Sequence, residues 1–199
     1  MYQNFLKRII DFLLALCALP FILLLIAIVG IAITIDDHGP IFYRAPRMGR
    51  NGKIFKMFKF RSMKVDSPDL RNADGSTFNS EHDPRVTAVG RFLRKTSIDE
   101  LPQVLNILIG DMSIIGPRPS LTTTPYEAYS EIRKKRVSVR PGMTGYSQSY
   151  YRNSISQDEK FAYDCVYVDN ISFKMDVKVF IKTISSVVKR DNIYMLNNE

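Results

Sequence analysis

From Phe12 to Ile35 the chain carries no charged side chain, and Asp11 and Asp36 mark the two ends of that stretch. As one helix it would be about 36 Å long at about 1.5 Å per residue, enough to cross a hydrocarbon core of roughly 30 Å. The basic start in Lys7 and Arg8 resembles that of a secretory leader, but the apolar run is longer than a leader needs and lacks a small-residue cleavage site. Within 199 residues, one such segment leaves material for a single compact domain and not for two.

Both flanks are basic. Lys7 and Arg8 precede the apolar run, and residues 41–61 carry Arg44, Arg47, Arg50, Lys53, Lys56, Lys59 and Arg61 without one acid. Cationic flanks favour the cytoplasmic side, so each end of the segment asks for the same face of the membrane. A straight spanning helix satisfies only one end. A helix that enters, bends and returns satisfies both, and Pro20 supplies a place to bend because it lacks an N–H and crowds the preceding turn; Gly30 is a second weak point. The residues alone leave these two topologies open.

A formal charge of +8 and a pI near 9.5 draw anions of several kinds: nucleic acid, acidic headgroups or phosphorylated small molecules. Cys17 and Cys165 have no CxxC neighbours, which argues against a disulfide framework and fits a reducing compartment.

Beyond the apolar run, Ile41–Tyr43 and Ile54–Met63 read as strands about Arg50-Asn51-Gly52-Lys53, where Asn-Gly signals a type I′ turn. Residues 64–84 are polar and broken by Pro68, Asp74-Gly75-Ser76 and Asp83-Pro84, a loop pattern. Helical periodicity starts at Val86. Ser97-Ile98-Asp99-Glu100 has the form of a capping box before Leu101, Val104, Leu105 and Leu108, with Pro102 tolerable only in a first turn and Gly110 closing the helix. Gly116-Pro117-Arg118-Pro119 is a stiff loop that restricts where its arginine can point. The run Arg133-Lys134-Lys135-Arg136 reads as a solvated helix face, and Arg140-Pro141-Gly142-Met143-Thr144-Gly145-Tyr146 as a glycine-bearing turn. Over about 171–190, Phe173, Val177, Phe180, Ile181, Ile184, Val187 and Val188 share one sector of a helix flanked by Lys174, Lys178, Lys182 and Lys189, a pattern suited to a core or to an anionic membrane surface.

Adjacent carboxylates such as Asp99 and Glu100 at a helix start are common caps. Their company gives them a second meaning: cations before them, Arg118 on a stiff loop after them, and an apolar anchor. Phosphoryl transfer needs a diphosphate neutralised by arginine, lysine and a hard cation such as Mg²⁺, and a free carboxylate can act as nucleophile. Asp99 is the candidate for that part.

Lys7-Arg8-Ile9-Ile10-Asp11-Phe12, Phe58-Lys59-Phe60-Arg61-Ser62-Met63, Thr96 through Gln103, Gly110-Asp111-Met112-Ser113 through Pro119, and Arg140 through Gly145 occur in that order. The series resembles the small monotopic phosphoglycosyl transferases, also called bacterial sugar transferases, over nearly the whole chain. The resemblance implies a mixed α/β, helix-rich fold: a re-entrant membrane helix hairpin over residues 1–38, then a small catalytic domain over 39–199 with a short β-hairpin and amphipathic interfacial helices. It implies transfer of a sugar-1-phosphate from a UDP-sugar, N-acetylated by general similarity, to undecaprenyl phosphate. UMP would leave as a phospho-sugar intermediate forms on Asp99, in the first membrane step of capsule, O-antigen or related glycan synthesis.

By the same resemblance Asp99 also contacts Mg²⁺, Glu100 assists through metal or proton, and Lys59, Arg94, Arg118 and Arg140 meet phosphate. Pro20 marks the membrane bend, the location is the cytoplasmic face of the bacterial inner membrane, and a homodimer is allowed. The family bends its membrane helix at a Ser-Pro pair and often has tryptophan and Asn-Gly after the second glycine turn, where this chain has Leu19-Pro20, Tyr146 and Ser149-Tyr150-Tyr151-Arg152-Asn153. The transferase reading expects no nucleic-acid partner. Two other readings compete with it: a membrane-anchored nucleic-acid binder stacking bases on Phe55, Phe58 and Phe60, and a non-catalytic membrane scaffold.

Overall fold

The structure, a computed structural model, describes residues 2–70, 78, 80, 82–152 and 154–189. The charge-free segment lies inside one helix, α1 (Lys7–Asp36), with Pro20 within it. The backbone stays helical across Pro20, so a change of direction there would be a kink in one helix rather than a turn between two.

One face of α1 is buried along its whole length, by Lys7, Asp11, Ala15, Ile22, Val29, Gly30 and Ile33. That spacing keeps a single stripe against the rest of the chain, while Phe21, Leu24, Ile28, Ile31 and Ile35 on other faces are exposed. Both ends are tied to the same body. Near the start, Arg8 donates to the carbonyls of Ile107 and Leu108 at 2.5 and 3.0 Å. Asp11 accepts from Ser113 Oγ at 2.6 Å and from the Ile114 amide at 3.1 Å. At the far end Asp36 accepts from the Val89 amide at 2.8 Å, and Asp37 pairs with Arg61.

Strands β1 (Phe42–Met48) and β2 (Ile54–Phe60) form an antiparallel hairpin, from Phe42 opposite Phe60 to Met48 opposite Ile54. The turn is the expected type I′: Asn51 and Gly52 have φ of 53° and 83°, and the Lys53 amide bonds the Arg50 carbonyl at 3.2 Å. The first strand runs beyond Tyr43. The second stops at Phe60, where Arg61 turns its guanidinium to Asp37 and the Pro40 carbonyl. Phe55 and Met57 face inward, with Val104, Ile107 and Met112, against Ala15 and Ile22; Phe60 and Leu93 pack on Val29 and Ile33. Phe55 and Phe60 are thus core residues, and Phe58 holds Arg44 over its ring at 4.9 Å. The base-stacking surface of the nucleic-acid reading is not formed.

Helix α2 (Ala88–Thr96) is capped by Thr87, whose Oγ1 accepts from the Gly90 amide at 3.0 Å. The capping box expected at Ser97 is absent. Ser97 takes a left-handed conformation (φ 59°) that ends α2 and makes no side-chain cap; a single 3₁₀ turn, Ile98–Glu100, follows, and α3 (Gln103–Ile109) starts only after Pro102. The serine is spent on reversing the chain, and the two acids ride on a tight turn between helices.

The stiff loop at Gly116 is preceded by a short strand, β3 (Ser113–Ile115), and the glycine-bearing turn contains another, β4 (Gly142–Thr144), and the two pair in parallel. A Cβ on Gly142 would lie 2.1 Å from the Gly116 nitrogen, and one on Gly116 would lie 2.6 Å from the Arg140 carbonyl. Only glycine permits this approach. Helices α4 (Glu131–Arg136), α5 (Tyr146–Tyr150), α6 (Gln157–Asp169) and α7 (Phe173–Lys189) complete the described chain.

Helix α7 turns Asp176 and Val179 inward, while Phe173, Phe180, Ile181, Ile184 and Val188 are exposed. Asp176 accepts from Tyr2 Oη, Lys7 Nζ and Tyr167 Oη, each at 2.6 Å, which joins α7 to the start of α1. Much of the polar segment 64–84, including Asp74-Gly75-Ser76, lies outside the described residues, as does Asn153.

Candidate active site

The 3₁₀ turn buries Asp99, 3 % exposed, and aims it at β2, where Lys59 Nζ lies 2.7 Å from Asp99 Oδ2 and 3.5 Å from Glu100 Oε1. From the other side Arg118 donates through Nη2 to Glu100 Oε1 at 2.7 Å and through Nη1 to Oε2 at 3.4 Å. Three segments distant in sequence thus bring two carboxylates and two cations together. Asn106 on α3 is fully buried and locks this arrangement: its Oδ1 accepts from the Phe58 amide at 2.8 Å and its Nδ2 donates to the Lys56 carbonyl at 2.9 Å. It thereby fixes β2, and with it Lys59, against the helix that follows the acids.

Burial would raise the Glu100 carboxyl, but Arg118 first and Lys59 second outweigh it and hold the group at about 2. Glu100 in turn raises the Arg118 guanidinium. A carboxyl so strongly acidic is ionised at neutral pH and is a poor proton acceptor in this state. The cluster is a charge-balanced site whose cations can be shared with an arriving anion.

The other two cations assigned to phosphate have partners of their own. Arg94, at the end of α2, donates to Ser62 Oγ at 3.0 Å. Arg140 donates through Nε to the Gly110 carbonyl at 3.0 Å, so that with Arg8 it caps the open carbonyls at the end of α3. Burial lowers the Arg140 guanidinium, and Arg8 and Arg50 lower it further. Among the described residues Arg140 has no hydrogen bond or ion pair to Asp99 or Glu100. Asn106 gave no sequence signal, since a buried amide reads like any other polar residue on a short helix.

The site joins two acids and two cations, and the same chain carries one helix long and apolar enough to cross a membrane. The bacterial sugar transferase family model matches residues 2–190, and the chain belongs to that family. It is 40% identical to the uncharacterized sugar transferase EpsL of Bacillus subtilis, over 97% of this chain and 92% of that one. It is 38% identical to the undecaprenyl-phosphate galactose phosphotransferase of Salmonella typhimurium, over 96% of this chain and 42% of the relative. The UDP-N-acetylgalactosamine-undecaprenyl-phosphate N-acetylgalactosaminephosphotransferase of Aeromonas hydrophila is 36% identical over 92% of this chain and 44% of its own length. The chain therefore spans less than half of these two named phosphotransferases.

Proposed function

We propose that the protein transfers a sugar-1-phosphate from a UDP-sugar to undecaprenyl phosphate, through a covalent intermediate on Asp99. The observation that carries this reading is the adjacent pair Asp99–Glu100, with Asp99 buried, held between Lys59 and Arg118. An Asp99 oxygen attacks the β-phosphorus of the donor, the bond from that phosphorus to the bridging oxygen breaks, and UMP leaves. An oxygen of undecaprenyl phosphate then attacks the same phosphorus, the bond to Asp99 breaks, and the carboxylate is restored as undecaprenyl-diphospho-sugar departs. Lys59 and Arg118 take up the charge that develops on the diphosphate.

Among the described residues no three acids, histidines or cysteines cluster into a protein-only cage. Two adjacent carboxylates fit Mg²⁺ held mostly by substrate phosphate oxygens, the usual manner for this ion. Asp99 would hold the ion, and its charge, when bound, would add to the neutralisation of the leaving phosphate.

The docking of both ends of α1 on one domain supports a helix that enters the membrane from a single face. The exposed apolar side of α7 and its lysines support a second contact with that surface. With the cationic flanks, this supports a site at the cytoplasmic face of the inner membrane. An N-acetylated hexosamine is the donor we favour from general similarity, and the name of the Aeromonas relative agrees; the Salmonella relative's name makes galactose the second candidate.

The test is UMP release by detergent-purified protein given Mg²⁺, undecaprenyl phosphate and a panel that includes UDP-galactose and UDP-N-acetylgalactosamine. Release with one preferred sugar, abolished by EDTA, supports the reading. A folded protein that is silent across the panel favours the scaffold.

A further inference from the structure

The basic run 133–136, which the sequence presents as a solvated face, conceals one residue of another kind. Arg136 is 5 % exposed, and each of its three guanidinium nitrogens is engaged. Nε donates to Asp164 Oδ2 at 2.7 Å, Nη1 to Ser120 Oγ at 2.5 Å, and Nη2 to the backbone carbonyl of Arg118 at 2.5 Å. The Phe161 ring lies 4.9 Å from its Cζ. Asp164, 1 % exposed, accepts from Ser147 Oγ at 2.6 Å through its other oxygen. A buried charge pair satisfied on all sides is costly to assemble and rigid once assembled, and this one grips the loop that carries Arg118.

The same loop is held on either side of that grip. The Gly142 amide donates to the Pro117 carbonyl, and the Met48 amide to the Ser120 carbonyl, both at 2.9 Å. Arg118 itself has a long, half-exposed side chain, 47 % accessible. Such a side chain keeps one geometry toward Glu100 only if its root does not move, because its rotamers are otherwise free. The carbonyl accepting from Arg136 belongs to Arg118 itself.

We infer that Arg136, with Asp164 as its buried counter-charge and Ser147 behind it, is the positioning residue for Arg118: it fixes the backbone from which that guanidinium reaches Glu100 and the substrate phosphate. Arg136 touches no substrate. The part concerning phosphate rests on the proposed phosphoryl transfer; the part concerning Glu100 does not.

The test uses the full chain in detergent with Arg136→Lys, which keeps a charge for Asp164 but cannot reach Ser120 and the Arg118 carbonyl at once. Arg118→Gln, the double variant, and Lys134→Gln as a surface control complete the set. A displaced arginine should lower kcat between about tenfold and a hundredfold, and the Arg136→Lys loss should shrink to less than twofold when Arg118 is already glutamine. Independently of turnover, the Glu100 carboxyl, followed by NMR with ¹³C-labelled glutamate, should titrate higher in Arg136→Lys than in the wild type. An equal Arg136→Lys loss in both Arg118 backgrounds, or an unmoved Glu100 titration in a folded variant, overturns the inference. No UMP release from the wild type, together with a shifted Glu100 titration, would sink the proposed reaction and leave the positioning role standing.

Discussion

Replacing Arg118 by glutamine tests the electrostatics of the site, because the structure fixes the sign of the effect and gives its order of magnitude. The Glu100 carboxyl falls from 4.5 to about 2, worth roughly 3 kcal/mol at about 1.4 kcal/mol for each tenfold in proton affinity. Arg118 at 2.7 Å carries more of this than Lys59 at 3.5 Å, but its guanidinium is half in water, where screening removes much of the gain. About 1 kcal/mol is left for Arg118.

The folded carboxyl titrates below its unfolded value, so this stabilisation is complete above about pH 4.5 and is lost as pH falls toward 2. The variant should therefore be less stable than the wild type by about 1 kcal/mol at pH 6, and the gap should close on acidification. Urea unfolding in detergent at pH 6, 4 and 2.5 reads it directly. In UMP release the same variant should lose at least about a hundredfold in kcat, the scale on which a donor aimed at developing charge acts. A stability gap unchanged from pH 6 to pH 2.5, with kcat within threefold of wild type, would refute this reasoning.

Asn106→Ala strips the partners from a partly buried amide and a partly buried carbonyl of β2; at about 1–3 kcal/mol for each group, thermal unfolding should drop by roughly 10 °C. Asp176→Asn leaves Lys7 buried without its counter-charge, so we expect a loss of about 3–5 kcal/mol, seen as a lower urea midpoint. Ile181→Asp, at a position 61 % exposed, should leave the melting temperature within 2 °C, roughly the scale of a neutral surface change. It should weaken partition onto anionic vesicles by about tenfold or more, and unchanged partition would count against α7 as a membrane contact.

How much of this could be read in the sequence differs from element to element. The Asn51-Gly52 turn was plain because its geometry is a local property of two residues. The meeting of Lys59, Asp99, Glu100 and Arg118 was anticipated from motif order rather than from any local rule, and the structure does bring those four together. Ser97 misled, since a serine three residues before a glutamate looks the same whether it caps the helix that follows or reverses the one before it. The β3–β4 pair was hidden because strands of three residues carry no periodicity, and the close approach of Gly116 and Gly142 is visible only when both are placed.

Arg136 shows the limit most clearly. A run of four cations reads as a wet surface until Asp164, far along the chain on another helix, is seen beneath its last member. Arg140 is a second case: its Nε donates to the carbonyl that ends α3, a contact that no sequence pattern shows.

The central claim is the covalent step on Asp99, and the most direct measurement is labelling of the protein by a UDP-sugar carrying ³²P in its β-phosphate, without undecaprenyl phosphate. The account predicts one equivalent of UMP and a ³²P-labelled protein that hydroxylamine discharges, as it does acyl phosphates, with neither seen in Asp99→Asn. An unlabelled wild-type protein that releases UMP only once undecaprenyl phosphate is added would contradict it, and would mean that the lipid phosphate attacks the donor directly.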